Sequence, residues 1–61
     1  MGMNSEVIVE FVNVGKFVKV TAIDASTGKE VSIVGDPTAS KKALTDLAVK
    51  KLRYVQNRDK K

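Results

Sequence analysis

The feature that most constrains this chain is a change in the spacing of its apolar residues at Pro37. Up to residue 34, β-branched and aromatic residues alternate with polar ones, and this period of two is typical of strands with one covered face. After Pro37 the apolar residues recur at intervals of three and four, which is the spacing of an amphipathic helix. We therefore predict an α+β fold, in which a three-stranded antiparallel β-meander carries one C-terminal helix on one face.

Turn and capping residues set the expected bounds of these elements. Gly15 suits the first position of a type II′ hairpin turn, and Gly28 can take positive φ at the end of the second turn. Pro37 cannot donate to a strand ladder, and Thr38 or Ser40 can cap the helix. The expected elements are strands at 6–14, 17–24 and 29–34 and a helix at 39–56, in a single domain of residues 1–61 whose ends, 1–4 and 57–61, are frayed.

The same two periods predict the core. One sheet face gathers apolar residues without carboxylates: Val7, Val9, Phe11, Val18, Val20, Ala22, Val31 and Ile33. The helix stripe expected to cover that face consists of Leu44, Leu47, Ala48, Leu52 and Val55. Lys51 falls inside this stripe, and we expect its stem to lie along apolar surface while its ammonium group extends outward.

The opposite sheet face carries more apolar residues than a solvated face usually does. A domain of 61 residues buries only about 60% of the surface that its unfolded chain exposes, and self-association is a common means of stabilising so small a fold. The first strand would also be an unprotected edge. We therefore expect a homodimer that forms through this edge or through the apolar residues of the far face, Ile8, Val12, Phe17, Ile23 and Val34.

The composition excludes the commonest catalytic and metal-binding sites. The chain has no cysteine and no histidine, which removes disulfides, most nucleophile–base pairs and the usual zinc ligands. Glu6 and Glu10 would stand about 13 Å apart on a strand, farther than the paired carboxylates of glycosidases. We expect no catalytic residues, no metal site, no cofactor and no enzymatic activity.

No segment predicts secretion or insertion into a membrane. The longest apolar run is Val7-Ile8-Val9, whereas a helix needs about 20 apolar residues to cross a bilayer. Residues 1–6 have neither the basic start nor the apolar stretch of a signal peptide. The absence of cysteine fits a reducing compartment. We expect a cytoplasmic protein without a membrane partner.

The positive charge is concentrated in the C-terminal part of the chain. Residues 37–61 contain eight Lys and Arg and two Asp, whereas residues 1–36 contain three Lys and five Asp and Glu. A basic helix can contact the phosphates of RNA or DNA. The simpler interpretation is a solvated helix face, because Lys and Arg interact favourably with the C-terminal end of the helix dipole. The charge is also not accompanied by aromatic residues on which bases could stack. Nucleic-acid binding is therefore our second hypothesis, with Lys41, Lys42, Lys50 and Arg53 as the candidate contacts.

Residues 17–53 resemble the C-terminal half of a double-stranded RNA-binding domain, in which strands precede a helix that opens with Ser40-Lys41-Lys42. The resemblance implies phosphate contacts by the paired lysines. The chain departs from that family in three respects: it has no N-terminal helix, Thr45 stands where the family has its next lysine, and leucines replace a row of small alanines. The resemblance therefore implies shared architecture.

A second resemblance covers nearly the whole chain. It is carried by residues 5–11 (SEVIVEF), 18–24 (VKVTAID), 27–28 (TG), 30–35 (EVSIVG), 47–52 (LAVKKL) and 54–55 (YV). These segments resemble a family of short alphaproteobacterial proteins that is an uncharacterised domain of unknown function. The resemblance implies a bacterial origin and a compact fold, and it implies no activity and no site residues.

Overall fold

A computed structural model describes residues 6–59 of the chain. Three antiparallel strands form one sheet in the order β1-β2-β3, and one helix follows them. The elements are β1 (Val7–Val14), β2 (Phe17–Asp24), β3 (Glu30–Gly35) and α1 (Lys41–Asp59). The predicted α+β fold, a three-stranded β-meander with one C-terminal helix, is confirmed.

Glycine determines the geometry of the first hairpin. Two residues, Gly15 and Lys16, connect Val14 to Phe17. Gly15 has a φ of +62°, and among the described residues no residue other than glycine has positive φ. A positive φ at the first turn residue together with a negative φ at the second is the pattern of a type II′ turn. The twist of this turn matches that of the flanking strands. The hairpin turn therefore has the predicted type.

The helix begins and ends later than predicted. Ser40 is its cap, since its hydroxyl accepts a hydrogen bond from the Ala43 N–H at 3.1 Å. Thr38 belongs to the preceding turn, where its N–H donates to Asp36 Oδ1 at 2.8 Å, so that α1 starts at Lys41 rather than at 39. At the other end α1 continues to Asp59. The helix thus includes residues 57–59, for which fraying was predicted, and residues 1–4, 60 and 61 lie outside the described residues.

The core lies between α1 and the central strand. Its buried residues are Val18, Val20 and Ala22 of β2 together with Leu44, Ala48 and Leu52 of α1. Val7, Val9, Phe11, Val31 and Ile33 surround this cluster and are half-buried. The covered sheet face is thus the predicted one. Because α1 lies mainly over β2 and β3, the helix side of β1 is only partly covered.

The predicted helix stripe is wrong at one position. Leu47 is 55% exposed, because at 100° per residue it lies about 100° around the helix from the mean direction of the buried residues. Leu47 faces the β3 side of α1. Lys51 is exposed, and its Nζ, which was expected to extend outward, donates to the Ser32 carbonyl of β3 at 3.0 Å.

Candidate functional site

Two hydrogen bonds at the strand ends determine which backbone groups point outward at the edges of the sheet. The Ala25 N–H donates to the Glu6 carbonyl at 3.0 Å, and the Asp24 N–H donates to the Lys29 carbonyl at 2.8 Å. Bonded and non-bonded pairs alternate along an antiparallel ladder, so the register of the strands extends this pattern to the other pairs. The outward groups therefore belong to Val7, Val9, Phe11 and Asn13 on β1, and to Glu30, Ser32 and Val34 on β3.

The edge formed by β3 is short and protected. The strand has six residues, and the Lys51 ammonium group binds the outward carbonyl of Ser32, in the middle of the strand. A lysine that crosses an edge strand is a common means of preventing further strand pairing. The β3 edge is thus a poor acceptor for another strand.

The edge formed by β1 lacks such protection. The strand has eight residues, and within residues 6–59 no hydrogen bond occupies its outward backbone groups. Val7, Val9 and Phe11 are half-buried on the helix side, whereas Ile8 and Val12 are 45% and 52% exposed on the far side. The strand therefore presents a bare edge with apolar side chains on both faces.

The five predicted interface residues all lie on the sheet face away from α1, and four of them are exposed. The exposed fraction is largest for Val34, at 62%, and Ile23 is half-buried. Val14, which the sequence analysis left out, is 42% exposed and lies opposite Phe17 beside the turn. The strand period that placed Ile8 and Val12 on this face also places Val14 there.

A polar row divides this far face into two apolar groups. Glu10, Thr21 and Ser32 are neighbours across the three strands, and the Thr21 and Ser32 hydroxyl oxygens are 3.0 Å apart. One group lies on each side of the row: Ile8 with Ile23, and Val12 with Val14 and Phe17, while Lys19 separates Val12 from Val34. A single copy of the described chain therefore has no continuous apolar face on this side.

The four predicted nucleic-acid contacts are divided between two sides of the helix. The Lys41 Nζ is 5.6 Å from the centre of the Phe11 ring, which places this lysine on the β1 side. At 100° per residue, Lys50 lies half a turn around the helix from Lys41. These two lysines therefore cannot contact one flat surface together.

The other three cations share the outer face of α1 with a carboxylate. Lys42, Lys50 and Arg53 lie within about 80° of one another around the helix. Asp46 lies among them, and its Oδ2 is 3.2 Å from the Lys42 Nζ. The outer face is therefore basic but contains an ion pair.

A shallow groove runs along α1 between its outer face and β3, with Lys50 at the border of the two. It encloses about 500 Å³ and is lined by Ile33, Val34, Leu47, Lys50, Lys51 and Tyr54. Tyr54 is 63% exposed, and the Arg58 guanidinium lies 5.8 Å from the centre of its ring. The sequence analysis missed this groove because it had assigned Leu47 to the core.

Asp24 is the one buried charged residue among those described. Its Oδ1 accepts hydrogen bonds from the N–H and the hydroxyl of Ser26, at 2.8 and 2.7 Å, and its Oδ2 accepts one from the Gln56 amide. These bonds, above all that from the Ser26 hydroxyl, hold the pKa of the carboxyl below its usual value. Since its partners all belong to the fold, Asp24 is a structural residue that joins β2 to the C-terminal half of α1.

Comparison with known proteins identifies a family model that covers most of the chain. A family model described as Domain of unknown function (DUF6898) matches residues 4–59. Neither a curated protein nor a solved structure matches the chain. In the part of the chain that the structure describes, no helix is long and apolar enough to cross a membrane.

Proposed function

Since the chain belongs to DUF6898, a family of domains of unknown function, we propose a function from its own surfaces: it is a non-enzymatic interaction module that forms a homodimer by pairing of β1 with β1 of a second copy. This family is the kind that the sequence resemblance implied, a short uncharacterised domain. The observation that carries the proposal is the bare edge of β1, whose side chains are apolar on both faces.

Pairing of two β1 strands would remedy the incomplete cover of this strand. Antiparallel pairing across a two-fold axis uses the same surface on both copies, which is the simplest closed assembly. It would give partners to the outward N–H and C=O groups of Val7, Val9, Phe11 and Asn13. It would also bury apolar area on both faces of β1, since each copy contributes half-buried side chains on one face and exposed ones on the other.

The opposite edge is a weaker candidate for the same role. A second copy could pair with β3 only by displacing the Lys51 ammonium group from the Ser32 carbonyl. The strand is also two residues shorter than β1. We therefore assign self-association to β1.

Proline substitutions test this assignment at both edges. The N–H of Asn13 points outward, so Asn13→Pro should block pairing with a second copy and leave the ladder with β2 intact. At about 100 μM protein, a concentration well above the Kd of a micromolar complex, sedimentation of the unmodified chain should give the mass of a dimer. Asn13→Pro should give a folded monomer of 6.6 kDa.

Glu30→Pro is the matched control. Its N–H also points outward, but at the β3 edge, so this variant should remain dimeric. A monomeric unmodified chain at this concentration would refute the proposal. Dissociation by Glu30→Pro but not by Asn13→Pro would move the interface to β3.

A second candidate function is binding of nucleic acid by the outer face of α1. The observation that favours it is the shared orientation of Lys42, Lys50 and Arg53. Phosphate contacts release counterions, so retention of duplex RNA or DNA at about 50 mM salt should be lost at about 200 mM. Unchanged retention by a variant with all three cations replaced by Gln would contradict this function.

The proposed site of action is the cytoplasm. The composition supports this proposal, because a fold built without cysteine does not depend on an oxidising compartment. Fractionation of the source cell with an antibody against the chain would test it.

A further inference from the structure

We propose that the groove between α1 and β3 binds an amphipathic, acidic α-helix of a partner protein. The groove is independent of the proposed dimer, since β3 lies at the opposite edge of the sheet from β1. It stays open in each copy when two β1 strands pair. The inference therefore goes beyond self-association.

The spacing of the exposed apolar residues matches a helical partner. Leu47 and Tyr54 lie seven residues apart on α1, so their Cα atoms are about 10.5 Å apart along the helix axis. They are 55% and 63% exposed, and Ile33, whose side chain lies on the helix side of β3, lines the groove beside them. A helix packed alongside α1 repeats its apolar positions at the same seven-residue interval.

The charge of the groove selects an acidic partner. Lys50 and Lys51 lie between Leu47 and Tyr54, and the Arg58 guanidinium lies over the Tyr54 ring. All charged residues among those lining the groove are lysines. A partner helix with carboxylates beside its apolar stripe would place them next to these cations, which gives specificity and speeds association.

The β3 edge favours a helix over an added strand. An extended peptide would need the outward carbonyl of Ser32, which already accepts a hydrogen bond from Lys51. A helix satisfies its own backbone and docks through side chains alone. The Lys51 ammonium group can then stay at the edge.

The helix of a second copy is a poor occupant of the groove. Within its described bounds α1 carries six Lys and Arg and two Asp, so that two α1 helices would repel each other. The partner is therefore a different protein with a helix of opposite charge.

A pair of synthetic peptides tests the proposal on the full chain. The first is an amphipathic helix of about four turns, with leucines on one face and glutamates flanking them. In the second, every glutamate is replaced by lysine. In NMR titrations the glutamate peptide should shift the signals of Leu47, Tyr54 and Ile33 to saturation, with a Kd on the order of 100 μM or below. The lysine peptide should not.

Substitutions inside and outside the groove separate specific binding from general attraction. Leu47→Ser and Lys50→Glu should each weaken binding of the glutamate peptide about tenfold, and Lys50→Glu should favour the lysine peptide. Lys42→Glu changes the net charge equally but on the outer face, and it should alter the Kd by less than about twofold.

Three results would overturn the proposal. The first is no saturable shift at about 1 mM peptide, and the second is equal weakening by Lys42→Glu and Lys50→Glu. The third is that the NMR signals of the groove residues do not respond to the glutamate peptide but shift when a mixed-sequence RNA duplex is added or when the chain alone is concentrated. None of these results depends on the β1 interface, which Asn13→Pro tests separately.

Discussion

At the scale of single residues, a buried carboxylate joins the end of β2 to α1. Asp24 ends β2 on the covered face of the sheet, and it accepts hydrogen bonds from Ser26 in the adjoining turn and from Gln56 of α1. Turns commonly contain Asp because its side chain bonds the backbone two residues on. The bonds to Ser26 are therefore local, whereas the contact with Gln56 depends on how α1 crosses the sheet.

Removal of the Gln56 amide should weaken the fold in a pH-dependent way. The pKa of Asp24 is lowered in the folded chain. Its ionised carboxylate therefore stabilises the fold at pH values above its pKa in the unfolded chain, which is about 3.9. This stabilisation is lost as the pH falls through the pKa of Asp24 in the folded chain. Gln56→Ala removes one cause of the lowered pKa. Its urea midpoint should be clearly below that of the unmodified chain at about pH 7, and the difference should shrink towards about pH 2.5.

Asn57→Ala is the matched control for this prediction. Asn57 is the next residue along α1 and is exposed, so its truncation should change the midpoint little at either pH. Asp36 also has a lowered pKa, because Thr38 donates hydrogen bonds to it. Its effect on the pH dependence of stability is the same in the unmodified chain and in both variants. A difference between Gln56→Ala and the unmodified chain that stays constant with pH would contradict the role of ionised Asp24.

At the scale of elements, the helix shows how well periodicity predicts packing. Leu44, Ala48 and Leu52 recur at intervals of four and are buried. Leu47 also fits a pattern of threes and fours, since it lies three residues after Leu44. The periodic pattern alone therefore predicts an apolar stripe that is wider than the buried one. The direction in which α1 crosses β2 and β3 determines which residues of that stripe are buried.

Two leucine truncations should therefore have very different effects. Leu52 is fully buried, and Leu52→Ala should lower the free energy of unfolding by about 2–5 kcal/mol. Leu47→Ala, at a residue that is 55% exposed, should lower it by less than about 1 kcal/mol. Urea unfolding at a fixed protein concentration measures both. Similar losses for the two variants would mean that Leu47 belongs to the core.

The strands were predicted more reliably than the surfaces that they form. Alternation up to residue 34 assigned each side chain to a face, and the type II′ turn at Gly15 fixed the first hairpin. Alternation does not show how side chains of different strands line up. The polar row of Glu10, Thr21 and Ser32, which divides the predicted interface, follows only from the register.

At the scale of the whole molecule, the proposed dimer would reunite the apolar groups that this row divides. A register of paired β1 strands centred on Glu10 would place that carboxylate opposite its own copy, and like charges directly opposite are unfavourable. A register centred on Phe11 instead places Ile8 opposite Val14 of the partner subunit. With Ile23 and with Phe17 of the partner subunit, these residues would form one apolar row across both copies.

The same register makes a prediction that single cysteines can test, because the chain has none of its own. When Phe11 faces its own copy, Val9 lies opposite Asn13 of the partner subunit, at the Cα separation of about 5.5 Å that a disulfide spans. Under mild oxidation a mixture of Val9→Cys and Asn13→Cys chains should therefore cross-link to each other, and neither should cross-link well to itself. Ala25→Cys, in an exposed turn, measures the background. If Val9→Cys chains instead cross-linked efficiently to each other, the two-fold axis would lie at Val9. The continuous apolar row would then not form.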